Sequence, residues 1–211
     1  KYFNFMNSVA AKLDAMIDHD VYLVSCAYHF TEYCPTNWVP YSGSNVDMAV
    51  FYCPSNMVFC AEPDSSYCNR IVRTYNHMTS SNDYILNPYQ NWLAWESLSN
   101  TYNLKMMVYL YNSLSNYFAP FDVISHMQSY YSFCKDTNIT MLYDQGQYSQ
   151  TKGTNWTTLK TYLNHKLSLD VNSNVNELTI KFMKAYFGDA WENMYNLLQK
   201  EINTLKVYID L

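Results

Sequence analysis

Charge is what this sequence has least of. Only 15% of its 211 residues are Asp, Glu, Lys or Arg, against about a quarter in an average soluble protein. Arg70 and Arg73 are its arginines, and the net charge is −5. A nucleic-acid partner is therefore not expected, since phosphate binding calls for clustered basic residues. No apolar run approaches the roughly 20 residues that span a bilayer, so no membrane span is expected. Four glycines and no phosphate loop argue against a dinucleotide fold. No Cys-x-x-Cys pair occurs, and no two histidines have ligand spacing, so neither a zinc ribbon nor a catalytic metal nor any other cofactor is expected. There is no Gly-x-Ser-x-Gly elbow and no cysteine with a nucleophile's context, which disfavours a serine or cysteine hydrolase.

What takes the place of charge is Asn, Ser and 22 tyrosines, within a chain that is 49% apolar. That balance belongs to a globular protein able to bury a substantial core. Cys53, Cys60 and Cys68 lie close together, while Cys26, Cys34 and Cys134 are dispersed. Three readings of the six stand open: free buried thiols, one disulfide within the Cys53–Cys68 loop, or a metal. The chain starts at Lys1 inside an apparent helix rather than at Met, so its beginning reads as cut.

Residues 2–18 place Phe5, Val9, Leu13 and Ile17, with Tyr2 and Met16, at helical spacing. Val21–Tyr28 is a continuous apolar run, the pattern of a strand covered on both faces. Val46–Tyr52, Leu104–Tyr111 and Ile139–Tyr143 read as three more strands. Between them, helical character is expected over Asn69–Met78, Pro88–Leu98 and Phe121–Lys135. Asn155–Leu169 is helical, and Asn174 with Glu177 resembles a capping box opening the next helix. Val175, Leu178, Phe182 and Tyr186 form that helix's inward stripe, and Gly188 is placed to end it in a left-handed cap. Trp191, Met194, Leu198, Ile202, Leu205 and Ile209 then mark a last amphipathic helix.

Strand and helix alternate, which is the order of a parallel α/β protein. Four strands and an apparently cut start suggest the C-terminal half of a (β/α)8 TIM barrel over residues 1–150. Extra C-terminal helices over 151–211 would pack on it. An open doubly wound sheet is the alternative.

Several local patterns stand in order along the chain: Phe3-Asn-Phe-Met-Asn-Ser-Val-Ala10, Ala27-Tyr28 with Pro35, and Cys53-Pro54 followed by Cys60 and Cys68-Asn69. Tyr143-Asp-Gln-Gly146, Leu159-Lys-Thr-Tyr-Leu-Asn-His-Lys-Leu167 and Phe182-Met-Lys-Ala-Tyr-Phe-Gly188 continue the set. Together they resemble a bacterial family catalogued as domain of unknown function 4838. The resemblance implies a glycoside-hydrolase-like barrel that processes carbohydrate, similar to α-glucuronidases or hexosaminidases, in an extracellular or cell-surface bacterial protein. One departure is clear. The family pattern ends the third strand in a Trp-Asp-Tyr-like triplet, whereas this chain has Tyr109-Leu110-Tyr111, without the carboxylate.

On a barrel model the strand ends gather Tyr28, His29 and Glu32; Tyr52 and Cys53; Tyr111 and Asn112; and Asp144, Gln145 and Gln147. Glycosidic cleavage usually takes two carboxyls, about 5–5.5 Å apart for retention and roughly 6.5–9.5 Å for inversion. Glu32 and Asp144 are the carboxylates at these ends, hence the candidates for acid/base or hydroxyl-binding work. Their bland reading is a solvated Glu32 and an Asp144 that caps its loop. His29 is either a base or a hydrogen-bonded structural histidine. Tyr28, Tyr52, Tyr111, Asn112, Gln145 and Gln147 would bind substrate. Trp92, Trp95 and Trp156 sit at helical positions and read as core. Trp38, in a proline-bounded loop, reads as a sugar platform. The expected partner is a carbohydrate, with hydrolysis or binding alone as the two outcomes.

Overall fold

The computed structural model describes residues 1–55, 57, 59–74, 84–111, 122–145 and 156–209. The first half runs α1 (Tyr2–Asp14), β1 (Val21–Ala27), β2 (Val46–Tyr52), β3 (Val72–Thr74), β4 (Tyr84–Leu86), α2 (Pro88–Tyr102) and β5 (Lys105–Leu110). It is followed by α3 (Met127–Asp136), β6 (Ile139–Asp144), α4 (Thr157–Leu169), α5 (Val175–Phe187) and α6 (Trp191–Ile209). Short 3-10 turns lie at His29–Thr31, Ile124–His126 and Gly188–Ala190. The chain divides into two compact units. One comprises Lys1–Met57, Ser66–Leu110 and Cys134–Tyr143; the other comprises Val58–Ser65, Tyr111–Phe133 and Asp144–Leu211.

The first unit is built on a four-stranded parallel sheet in the order β1-β2-β5-β6. Val21 pairs with Val46 and Ala27 with Tyr52, while Ala49 pairs with Lys105 and Tyr52 with Val108. Side chains alternate across a strand, so this register sorts them onto two faces. Val46, Met48, Val50 and Tyr52 share one face with Met106, Val108 and Leu110, and all seven are buried. Helix α2 covers that face. The Tyr52 ring meets Trp92 and Trp95 at centroid distances of 5.5 and 6.3 Å. Phe3 of α1 packs 5.4 Å from Trp95, which puts both helices on the same side.

Among the described residues, the opposite face is open along the edge strands and half-buried or buried at its centre. Tyr22, Val24 and Cys26 of β1 are exposed, as are Met141 and Tyr143 of β6. The expectation that Val21–Tyr28 is covered on both faces is therefore corrected. Its run is apolar apart from Ser25, but β1 lies at the sheet's edge and alternates between sheltered and open positions.

Helix α2 begins where its capping chemistry says it should. Asn87 accepts the Gln90 N–H at 3.1 Å, and Pro88 occupies the first turn. It ends on Asn103 in the left-handed region, a place asparagine tolerates. The helix expected over Asn69–Met78 is also corrected. Val72–Thr74 is a strand paired antiparallel with Tyr84–Leu86, and residues 75–78 lie outside the described residues. A β-branched residue with a partner strand follows the pairing rather than the local helical pattern.

In the second unit, Asn174 caps α5 by accepting the Glu177 N–H at 3.1 Å. Gly188 ends that helix at φ +54° and ψ −130°, positive in φ as expected but outside the left-handed helical well, in a region glycine alone adopts readily. The inward stripe of α5 is rotated by one residue from the expected one. Thr179 and Met183 are buried, whereas Phe182 and Tyr186 stack on each other at 5.1 Å and Tyr186 is exposed. Among the described residues, no helix is long and apolar enough to cross a membrane.

Candidate functional site

The carboxyl end of β1 turns sharply. Thr31 Oγ1 accepts the Tyr28 N–H at 3.1 Å and shares its own proton between the Cys26 and Tyr28 carbonyls, each at 3.0 Å. That clasp forces His29 to φ +51°, a conformation rare for a residue with a Cβ and concentrated at functional sites. The His29 ring packs 3.8 Å from that of Tyr28. Outside the clasp, Tyr28, Phe30 and Tyr33 are all exposed, so three rings flank one tight turn.

Glu32 points the other way. It is fully buried, and its Oε2 accepts the Ser55 hydroxyl at 2.9 Å. Its carbonyl accepts Asn91 Nδ2 at 2.9 Å and Trp95 Nε1 at 2.8 Å. Asn91 also donates to the Tyr52 hydroxyl at 3.1 Å and accepts the Cys34 N–H at 2.8 Å. This network pins the loop after β1 onto α2 and the end of β2. Burial, and then the charge of Glu32, push the Tyr52 phenol well above its ordinary pKa. The reading of Glu32 as a solvated side chain is thus excluded; it is a carboxyl set beneath the surface.

On the sheet face away from α1 and α2, rings follow one another across three strands. Phe51 lies 6.0 Å from Tyr109, and Tyr109 stacks on Tyr143 at 4.7 Å with planes 29° apart. Beside the turn, a groove of about 510 Å³ is lined by Tyr33, Pro35, Thr36, Asn87, Gln90 and Tyr102 among others. Its polar side chains are neutral amides and hydroxyls. Phe30 and Tyr33 were not singled out by the sequence, and Tyr109 and Tyr143 stood only within the family patterns, not among the expected site residues. The density of aromatics in Tyr28-His-Phe-Thr-Glu-Tyr33 was the signal for the first two.

Trp38 requires a correction. It is 4% exposed, its ring packs on Phe3 at 4.8 Å, and its Nε1 donates to Asn7 Oδ1 at 3.1 Å. The indole is core and offers no open face for a sugar. Trp92 and Trp95 are fully buried, in line with their reading as core.

The remaining candidates belong to the second compact unit. Asp144 closes β6 and is half-buried, and its Oδ2 accepts the Tyr131 hydroxyl at 3.0 Å. Gln145 and Tyr111 are also half-buried, the latter 6.5 Å from Phe59 ring to ring. Asn112 and Gln147 lie outside the described residues. Leu110, standing where the family pattern has a carboxylate, is fully buried. Among the described residues, no group of three or more His, Cys, Asp or Glu is placed to hold a metal ion.

No curated protein and no solved structure matches the chain. The family model described as "Domain of unknown function (DUF4838)" matches residues 1–198, nearly the whole length. The chain therefore belongs to the DUF4838 family.

Proposed function

We propose that this chain is a glycoside hydrolase-like protein acting on a polysaccharide or glycoconjugate. The observation that carries the reading is the exposed aromatic surface at the strand ends: Tyr28, Phe30 and Tyr33 on the β1 turn, beside a groove of neutral amides. A pyranose ring presents flat C–H faces and a rim of hydroxyls. Aromatic faces bind the first, and Asn, Gln and Tyr groups bind the second without the desolvation cost of a charge.

Within this reading, Asp144 is the carboxylate that meets substrate, oriented by the Tyr131 hydroxyl. Glu32 acts from behind the surface through the Ser55 hydroxyl it accepts. The reading of Tyr52 as substrate-binding is corrected, because it is fully buried; with Asn91 it holds that carboxyl's loop in place, and His29 polarises a substrate hydroxyl. In the first unit Tyr28 binds a sugar face; in the second, taken by itself, Tyr111, Asn112, Gln145 and Gln147 bind sugar hydroxyls or faces.

A second reading, a carbohydrate-binding barrel without hydrolysis, is favoured by two observations. Leu110 replaces the family's carboxylate, and Glu32 is closed off from solvent. A glycan array combined with an assay for released reducing ends separates the two. Binding with release that Asp144→Asn abolishes supports the hydrolase. Binding with no release supports the second reading, and no binding to any glycan refutes both.

A further inference from the structure

Beyond the rings, the sheet face away from α1 and α2 carries two thiols at the ends of neighbouring strands. Cys26 stands opposite Phe51 in the β1–β2 register, and Cys53 lies two residues farther along. The Cys53 N–H donates to the Ala27 carbonyl at 2.9 Å, so the ladder continues one step beyond β2. With period-two alternation, both side chains leave the same face. Their sulfurs are 3.9 Å apart, in van der Waals and hydrogen-bonding contact. Cys26 is exposed and Cys53 is buried. The contact has a chemical consequence: the hydrogen bond with Cys53 lowers the Cys26 thiol to about 7, against the opposing effect of partial burial. Cys34, by contrast, is pushed up by burial to about 12.

We propose that Cys26 and Cys53 form a modification site for small-molecule disulfides, with Cys26 as the attacking thiol and Cys53 as the resolving one. The Cys26 thiolate attacks one sulfur of the disulfide. The Cys26–S bond forms, the disulfide bond breaks, and one half leaves as a thiolate that takes up a proton. Cys53 gives its proton to solvent and its sulfur attacks Cys26 Sγ. The mixed disulfide breaks, and the second half leaves as thiolate and is protonated. Two protein thiols lose two electrons to the small disulfide, which is reduced to two thiols.

The position on the sheet sets the character of the product. The two cysteines are offset by two residues rather than directly opposite on parallel strands, so closing the bond from sulfurs 3.9 Å apart draws the strand ends together and strains it. The bond is therefore of the readily reduced, reversible class rather than a permanent staple. It ties the ends of β1 and β2 next to the Tyr28 turn, and it stands whether or not the protein binds sugar.

The test uses the whole chain and oxidised glutathione as the probe near neutral pH. The reaction is quenched with acid, remaining thiols are alkylated, and peptides are mapped by mass spectrometry without reduction. The expected result is a Cys26–Cys53 linked peptide, with a mass loss of about 2 Da for the two hydrogens removed. Dithiothreitol reverses it. Cys53→Ser is expected to stop at a stable Cys26–glutathione adduct. In the unsubstituted protein, a lasting Cys26 adduct with no linked peptide overturns the resolving role. Modification of Cys60 ahead of Cys26 overturns the site altogether.

Discussion

Replacing Asn91 with alanine removes three hydrogen bonds at once, and the cost can be worked bond by bond. The Cys34 N–H loses its acceptor at 2.8 Å beneath the surface, which leaves a buried donor unmet at about 1–3 kcal/mol. The Tyr52 hydroxyl loses a donor, and the Glu32 carbonyl keeps Trp95 Nε1 but loses Asn91 Nδ2. The total is about 2–4 kcal/mol, a large part of the net stability of a domain. Trp95→Phe removes the other donor to the same carbonyl while keeping most of the ring, at about 0.5–1.5 kcal/mol. Each single change leaves Glu32's carbonyl one of these donors; together they leave it neither. The double variant is therefore expected to lose about 1–2 kcal/mol more than the sum. Urea unfolding of the four proteins, read at constant m, gives the coupling directly. Additivity within about 0.5 kcal/mol, or an Asn91→Ala cost under about 1 kcal/mol, would show that the network does not hold the loop.

Phe30→Ala and Tyr33→Ala are expected to weaken glycan binding and leave the unfolding midpoint unchanged, because both rings are exposed. Trp38→Ala should instead cost about 3–5 kcal/mol of stability, as a buried ring does; the reverse ranking in a binding titration and a melt would refute the assignment. Gly43→Ala should destabilise, although such a change on open backbone commonly gains about 0.4–1 kcal/mol. Its Cβ would sit 2.6 Å from Asp14 Cγ and Oδ1, and that carboxylate is fixed by the Asn45 and Val46 N–H groups at 2.7 and 2.8 Å. A raised melting temperature would contradict this. Those bonds, Asn45's first, hold the Asp14 pKa below its usual 3.8. Asp14 therefore contributes stability that is complete above 3.8 and is lost as pH falls through the lower folded value. Asp14→Asn should flatten that part of the acid limb, measured as urea midpoints at about pH 5 and about pH 3. Equal acid sensitivity of the two proteins would refute it.

The four strands of the parallel sheet were legible in the sequence because each is a largely apolar run, and Val46–Tyr52 is matched end to end, whereas the short antiparallel pair β3 and β4 was not. The inward faces of α1 and α5 were less so. The buried side of α1 carries Phe3 and Ala10 together with Asn7 and Asp14. Those polar residues fasten the loop after β1: Asn7 accepts from Trp38 and from the Tyr41 N–H, and Asp14 accepts from Asn45 and Val46. Hydropathy counts such residues as solvent-facing and so selects Phe5, which is exposed. Glu32 was misjudged for the same reason. Its burial depends on Ser55, Asn91 and Trp95, which lie 23 to 63 residues away, and no local pattern reports such partners.

The winding of the sheet bears on the two architectures the sequence left open. A doubly wound sheet reverses its strand order and carries helices on both faces. Here consecutive strands of the parallel sheet are neighbours throughout, β1-β2-β5-β6, and α1 and α2 lie on one side. That order is consistent with a partial barrel, in which the face away from the helices would be the interior. In such a barrel the interior is a packed core, and ligands bind at the carboxyl ends of the strands, among the loops that follow them. Phe51, Tyr109 and Tyr143 stand on that face, toward those ends, and Tyr28 begins the turn beyond β1. A purely structural core face would favour aliphatic residues in layers. The stacked Tyr109–Tyr143 pair instead sets phenol hydroxyls among the rings of that face.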